Sequence, residues 1–179
     1  PATKFENVAK LDTLYASKGM LNPKYALAKK AYQLNLPAGT TSVELNAVAS
    51  EGCSVVLPTI TGLSDGQNTT AEVKVFSPLG NDSTILTIDI HVATANEILF
   101  VGGDNDGALS VAMQQDKETV ALLTQAGYSV TFLYKWGVTR SYNNNQPFDF
   151  TPYKAVIFGA SAPSDGTKEY AIQEYPIPC

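Results

Sequence analysis

The stretch Leu86-Thr87-Ile88-Asp89-Ile90-His91-Val92, followed by Ala93-Thr94-Ala95-Asn96 and then by Ile98-Leu99-Phe100-Val101-Gly102-Gly103, decides how this chain folds. Up to Val92 apolar and polar residues alternate, the period of a strand with one buried and one wet face. From Ile98 four apolar residues run together, as a parallel strand covered on both faces requires. The change of period predicts two modules of unlike architecture. An all-β sandwich is expected over residues 1–94, and the N-terminal part of an α/β doubly wound parallel sheet, left incomplete, over residues 95–179.

Working back from this junction, Tyr32-Gln33-Leu34-Asn35-Leu36, Val43-Glu44-Leu45-Asn46-Ala47-Val48 and Glu72-Val73-Lys74-Val75-Phe76 repeat the alternation. Pro37-Ala38-Gly39-Thr40, Ser50-Glu51-Gly52, Ser64-Asp65-Gly66 and Leu79-Gly80-Asn81-Asp82 are turn signals between them. Their spacing approximates the ~8–12 residues of a sandwich. Working forward, a helix capped by Ser110 or Asp116 should present Val120, Leu123 and Ala126 on one face and stop at Gly127. Strands follow at residues 129–134 and at Ala155-Val156-Ile157-Phe158-Gly159. Tyr175-Pro176-Ile177-Pro178-Cys179 reads as the start of a fourth.

Leu11-Asp12-Thr13-Leu14, Gly19-Met20-Leu21-Asn22-Pro23 and the run from Tyr32 through Val43 resemble the bacterial cadherin-like β-sandwich family. That resemblance covers about half the chain and implies an immunoglobulin-like sandwich used as a spacer or adhesive module of exported bacterial proteins. The acidic calcium motifs of true cadherin junctions are missing from Ala93-Thr94-Ala95-Asn96, and Asp104-Asn105-Asp106-Gly107 lacks the spaced partners of a calcium loop. The second half resembles flavodoxin-like and glutamine-amidotransferase-like domains through "ILFVGGD", "LLTQAGYSVTFL" and "YKAVIFGASAPS". It departs from both where chemistry would lie. Cys179 follows Pro178 with no later histidine, and the acidic Gly102-Gly103-Asp104-Asn105-Asp106 turn would repel a phosphate.

In a doubly wound sheet ligands bind where strand order reverses, outside the carboxyl ends of the strands. This singles out Gly102, Gly103 and Asp104 facing Ser161 and Ser164 as candidate ligand-binding residues. The plainer reading of the same residues is ordinary turns whose glycines and serines cap helices, and the sequence favours it. Tyr134-Lys135-Trp136 and Arg140-Ser141-Tyr142-Asn143-Asn144-Asn145-Gln146 combine aromatic and amide groups, the currency of carbohydrate recognition, in a stretch that also reads as a linker.

Composition narrows the function classes. The 179 residues are 44% hydrophobic and 16% charged, enough apolar material for a core in each half. A net charge of −5, with Lys and Arg scattered apart from Lys29-Lys30, argues against nucleic acid as a partner. No apolar run approaches the ~20 residues of a membrane span. Abundant Thr, Ser and Asn lean towards a secreted or cell-surface protein, and a start at Pro1 suits a processed or excised chain. Cys53 and Cys179 read as unpaired thiols. His91, the single histidine, sits on the polar face of its strand and reads as a solvated residue. No catalytic residue, metal or cofactor is therefore assigned. The expected function is a non-enzymatic structural or adhesive segment of a larger exported surface protein. Its further residues, or a neighbouring chain, would pack on the edge at Ala155-Val156-Ile157-Phe158-Gly159. The alternatives are the N-terminal part of an amidotransferase-like or hydrolase-like enzyme with catalytic residues beyond Cys179, and a carbohydrate-binding module.

Overall fold

A computed structural model describes residues 7–102 and 114–162. The described chain is mainly β and sandwich-like, with twelve strands and one α-helix among the described residues. Its principal sheet has five strands in the order β2 (Leu21–Asn22), β3 (Ala31–Leu36), β9 (Ser83–Val92), β8 (Asn68–Phe76) and β6 (Ser54–Val56). Two short antiparallel ladders face it: β1 (Leu11–Ala16) with β5 (Leu45–Ala49), and β4 (Ser42–Val43) with β7 (Ile60–Thr61).

The alternation explains the layering. Tyr32, Leu34 and Leu36 of β3, Val73 and Val75 of β8, and Leu86, Ile88, Ile90 and Val92 of β9 all point inward and are buried. Leu11, Leu14, Val43, Leu45 and Ile60 from the small ladders close over them. The segment read as one strand across Val43–Val48 is in fact β4 and β5, broken at Glu44, whose N–H bonds the Ser17 hydroxyl at 3.0 Å. Leaving the β4–β7 ladder for the β1–β5 ladder lets the chain turn across the core edge. The pairing of β3 with β9 is parallel and aligns Gln33 with Asp89 and Asn35 with His91. The β8–β9 pairing is antiparallel and aligns Thr70 with Asp89 and Asn68 with His91. Two polar rows, Gln33–Asp89–Thr70 and Asn35–His91–Asn68, consequently cross the outward face of the sheet.

Gly19 holds this sheet's edge in a way that no other residue can. Its φ is +69°, and a Cβ there would lie 2.7 Å from the Asn35 carbonyl oxygen and 3.0 Å from Leu34. Left-handed strain and overpacking each cost about 1–3 kcal/mol. Gly19→Ala should therefore destabilise the protein by at least about 2 kcal/mol in urea unfolding; a change below a few tenths would contradict this geometry.

Beyond a tight turn in which the Glu97 N–H bonds the Thr94 carbonyl at 3.0 Å, the chain enters a three-stranded parallel sheet. Its order is β11 (Ser129–Tyr134), β10 (Glu97–Gly102), β12 (Ala155–Phe158). All six residues of central β10 are buried, as its apolar run predicts. One face, with Phe100 stacked on Phe132 at 5.7 Å, lies towards α1 (Gln114–Gln125), which contributes Val120. On the other face Leu99 and Val101 pack with Val138, Phe148, Phe150 and Tyr153. The helix ends as expected: Gly127 has φ +89°, and the N–H groups of Gly127 and Tyr128 bond the carbonyls of Thr124 and Leu123 at 3.0 and 3.1 Å. Ala126 falls past the helix end and is exposed, so the buried stripe rests on Val120 with Leu123 half-buried. Ser110, one of the two expected caps, lies outside the described residues, as does Tyr175-Pro176-Ile177-Pro178-Cys179. Among the described residues β12 pairs with β10 alone.

Candidate functional site

The two polar rows of the sandwich do not face open solvent along their whole length. At the β3–β9–β8 end they are overlaid by Thr131 and Leu133 of β11 and by Tyr153, leaving a cleft of about 370 Å³ between the two sheets. Glu97, the first residue of β10, fixes this arrangement from beneath. It is 2% exposed, and its Oε1 accepts from the Thr131 hydroxyl at 2.6 Å and lies 2.7 Å from His91 Nε2, while Oε2 accepts the Thr94 N–H at 2.9 Å. His91 Nδ1 lies 2.9 Å from Asn68 Oδ1. Both ring nitrogens thus face acceptors, which an imidazolium satisfies by donating twice. A neutral ring satisfies them only if the Asn68 amide turns its NH2 towards Nδ1. His91 is accordingly not the solvated strand residue that alternation suggests; it is the link between β9 and β10.

The electrostatics follow from these contacts. Burial alone would push the Glu97 carboxyl up, but the bonds from His91, Thr131 and the Thr94 N–H outweigh it and hold the group below its ordinary value of 4.5. A carboxylate with a depressed folded-state pKa contributes stability that is present above its unfolded value and lost as pH falls through the folded one. The melting-temperature advantage of the native protein over Glu97→Gln should therefore hold steady between about pH 7 and pH 5 and shrink on further acidification. An advantage that grew below that range would have the wrong sign. Tyr153 is the opposite case: burial first, then the nearby Glu97 and Asp149 carboxylates, raise its phenol far above the ordinary range, so it remains a neutral donor. It is 3% exposed, and its hydroxyl has no hydrogen-bond partner among the described residues.

The second place of interest is the carboxyl end of the parallel sheet. Gly102 and Ser161 do come together there: a Cβ on Gly102 would lie 3.1 Å from Ser161 Oγ. Between them sits Asp116, 1% exposed, which accepts the Ala160 N–H at 2.9 Å and the Ser161 hydroxyl. Asp116 is one of the two caps expected from the sequence. It occupies the first turn, but its carboxylate reaches across to the β12 end instead of serving its own helix. The crevice between Gly102 and Gly159 is therefore filled by an anionic side chain, a poor place for a phosphate. Gly103, Asp104 and Ser164, the other candidate ligand-binding residues, lie outside the described residues.

The aromatic and amide-rich stretch is organised inward. Asn143 is fully buried, donating to the carbonyls of Gly137 and Thr139 at 3.1 and 2.9 Å, and Gln146 donates to the Leu21 carbonyl at 2.8 Å. Two of its amides thus hold the loop together and pin it to the sandwich, and Asn144 and Asn145 supply positive φ for the turn. Trp136 and Tyr142 remain about half exposed, with Lys135 and Lys29 over their rings at 5.9 and 5.5 Å.

The residues of the cleft were poorly marked in the sequence. The one signal was Glu97 itself, a lone carboxylate opening an otherwise apolar buried strand, six residues after the single histidine. Asn35 and Tyr153 carried none. No family model and no curated protein matches the chain. Among solved structures, a protein of Bacteroides thetaiotaomicron VPI-5482 that is provisionally named a glycoside hydrolase aligns over 52% of this chain and 28% of its own, with 11% identity and a TM-score of 0.36. So slight a likeness carries no argument.

Proposed function

We propose that this chain is a non-enzymatic structural segment of a larger exported bacterial surface protein, a cadherin-like sandwich (residues 1–94) carrying the first strands of a flavodoxin-like, doubly wound sheet (residues 95–179). The observation that carries the reading is the joint. Glu97, His91 and Asn68 tie β10 to β9 and β8, and Gln146 and Asn143 bond the backbone at Leu21 and Lys24, at 2.8 and 3.3 Å. Links made through a buried carboxylate and through backbone suit a spacer that transmits orientation. On this reading the next strand of the sheet, from this protein or a neighbouring chain, adds to β12.

One observation favours a second reading, part of an amidotransferase-like or hydrolase-like enzyme: Asp116 and Ser161 meet at the carboxyl end of the sheet, where such folds place their chemistry. A panel of ester, amide and glycoside substrates separates the two. The structural reading expects no turnover above buffer; turnover abolished by Ser161→Ala would overturn it in favour of the enzyme.

A further inference from the structure

Basic residues that lie apart in the sequence are gathered by the fold. Residues 13–43 and 119–148 hold six of the chain's twelve lysines and arginines and none of its seventeen acidic residues, in a protein of net charge −5. Loops from these two segments pack together. Gln146 donates to the Leu21 carbonyl at 2.8 Å, the Lys24 N–H donates to the Asn143 carbonyl at 3.3 Å, and Lys29 Nζ lies 5.5 Å from the centre of the Tyr142 ring. Lys24 and Lys29 are exposed, and no carboxylate among the described residues pairs with either. Arg140 braces the second loop by donating to the Asn145 carbonyl at 3.1 Å, and Tyr142, Asn144 and Asn145 stand exposed on the same loop. Cationic loops without a single acid, on a chain that is acidic elsewhere, set up a local positive field that attracts an anionic partner.

What accompanies the charge defines the anion. Phosphate and nucleic-acid recognition favours the bidentate fork of arginine, whereas lysine is a compact point charge that suits a single carboxylate. The patch relies on lysines, and its one arginine already donates to Asn145. Membrane binding needs a broad apolar face beside the cations. Here Leu27 is the one large aliphatic side chain that these two loops expose, and the other groups are amides and an aromatic ring. Amides donate and accept, as sugar hydroxyls require, and an aromatic face packs against the C–H face of a sugar ring. We propose that the surface formed by Lys24, Lys29, Arg140, Tyr142, Asn144 and Asn145 docks an acidic polysaccharide, with its carboxylates on the lysines and its hydroxyls on the amides. This goes beyond the structural role and does not depend on it.

Binding of the whole chain to immobilised polygalacturonate and hyaluronate, with neutral dextran alongside, tests the assignment. At least one acidic polymer should bind and dextran should not, and the affinity should fall at least about tenfold as sodium chloride rises from about 0.05 to about 0.5 M. Lys24→Glu and Lys29→Glu should each weaken binding at least about fivefold. Both side chains are exposed, so the melting temperatures should stay within about 2 °C of the native protein. Tyr142→Ala should weaken binding severalfold without changing its salt dependence. Lys74→Glu makes the same change of charge on β8, towards the other edge of the five-stranded sheet, and should bind as the native protein does. Binding of neither acidic polymer overturns the proposal, as does equal binding of dextran. So does an equal loss in Lys74→Glu, which would mean that net charge alone decides. Tighter binding to phosphatidylglycerol vesicles or to double-stranded DNA also overturns it, assigning the patch to a membrane or to a phosphate backbone. None of these failures touches the structural reading, which falls only to turnover.

Discussion

Glu97→Ala should lower the melting temperature by about 6–12 °C, the largest effect expected of any single change at the joint. Leaving a buried hydrogen-bonding group without its partner typically costs about 1–3 kcal/mol. Here three are orphaned together: His91 Nε2, the Thr131 hydroxyl and the Thr94 N–H. The His91 side chain retains 19% exposure, so water can reach it and the total comes to about 3 kcal/mol. For a chain of this size each kcal/mol moves the midpoint by about 2–4 °C. His91→Ala should cost less than Glu97→Ala, since Thr131 and Thr94 would still satisfy the carboxylate. Thermal unfolding of both variants checks the ranking. If Glu97→Ala melted within about 2 °C of the native protein, the carboxylate would have no structural part in joining the sheets.

This joint also shows where sequence reading reaches and where it stops. Period two in β3, β8 and β9 revealed which side chains face the core, because burial on one face is a local property of a strand. The apolar run at Ile98-Leu99-Phe100-Val101 marked a strand covered on both sides for the same reason, and Gly127 marked the helix end because a left-handed residue is locally required there. The cleft is different in kind. Asn35, Asn68 and His91 share a row through the pairings of β3, β9 and β8, and Tyr153 arrives from a loop more than fifty residues further on. No local pattern encodes that meeting. The exposed-looking face of β9 read as wet because alternation states which face is polar, not what lies against it.

The same distinction governs Gly159, where the next largest effect is expected. In the sequence Phe158-Gly159-Ala160-Ser161 reads as an ordinary strand exit. In three dimensions a Cβ on Gly159 would lie 2.5 Å from Asp116 Oδ1, 2.8 Å from its Cγ and 2.6 Å from Phe100 Cε1. Neither neighbour can yield freely: Phe100 is buried and stacked on Phe132, and Asp116 is held by the Ala160 N–H and the Ser161 hydroxyl. Overpacking of this kind costs about 1–3 kcal/mol, and the loss of the Asp116 bonds adds to it. Gly159→Ala should therefore destabilise the protein by about 3 kcal/mol. Asp116→Ala alone should cost about 1–2 kcal/mol by removing the acceptor of the Ala160 N–H and the Ser161 hydroxyl. The double variant removes the carboxylate that the new methyl strikes, so its cost should fall short of the sum of the two by at least about 1 kcal/mol, as coupled neighbours do. Strict additivity in a chemical-denaturation cycle would mean that Gly159 and Asp116 do not share this space, and that the close approach at the carboxyl end of the parallel sheet has another cause.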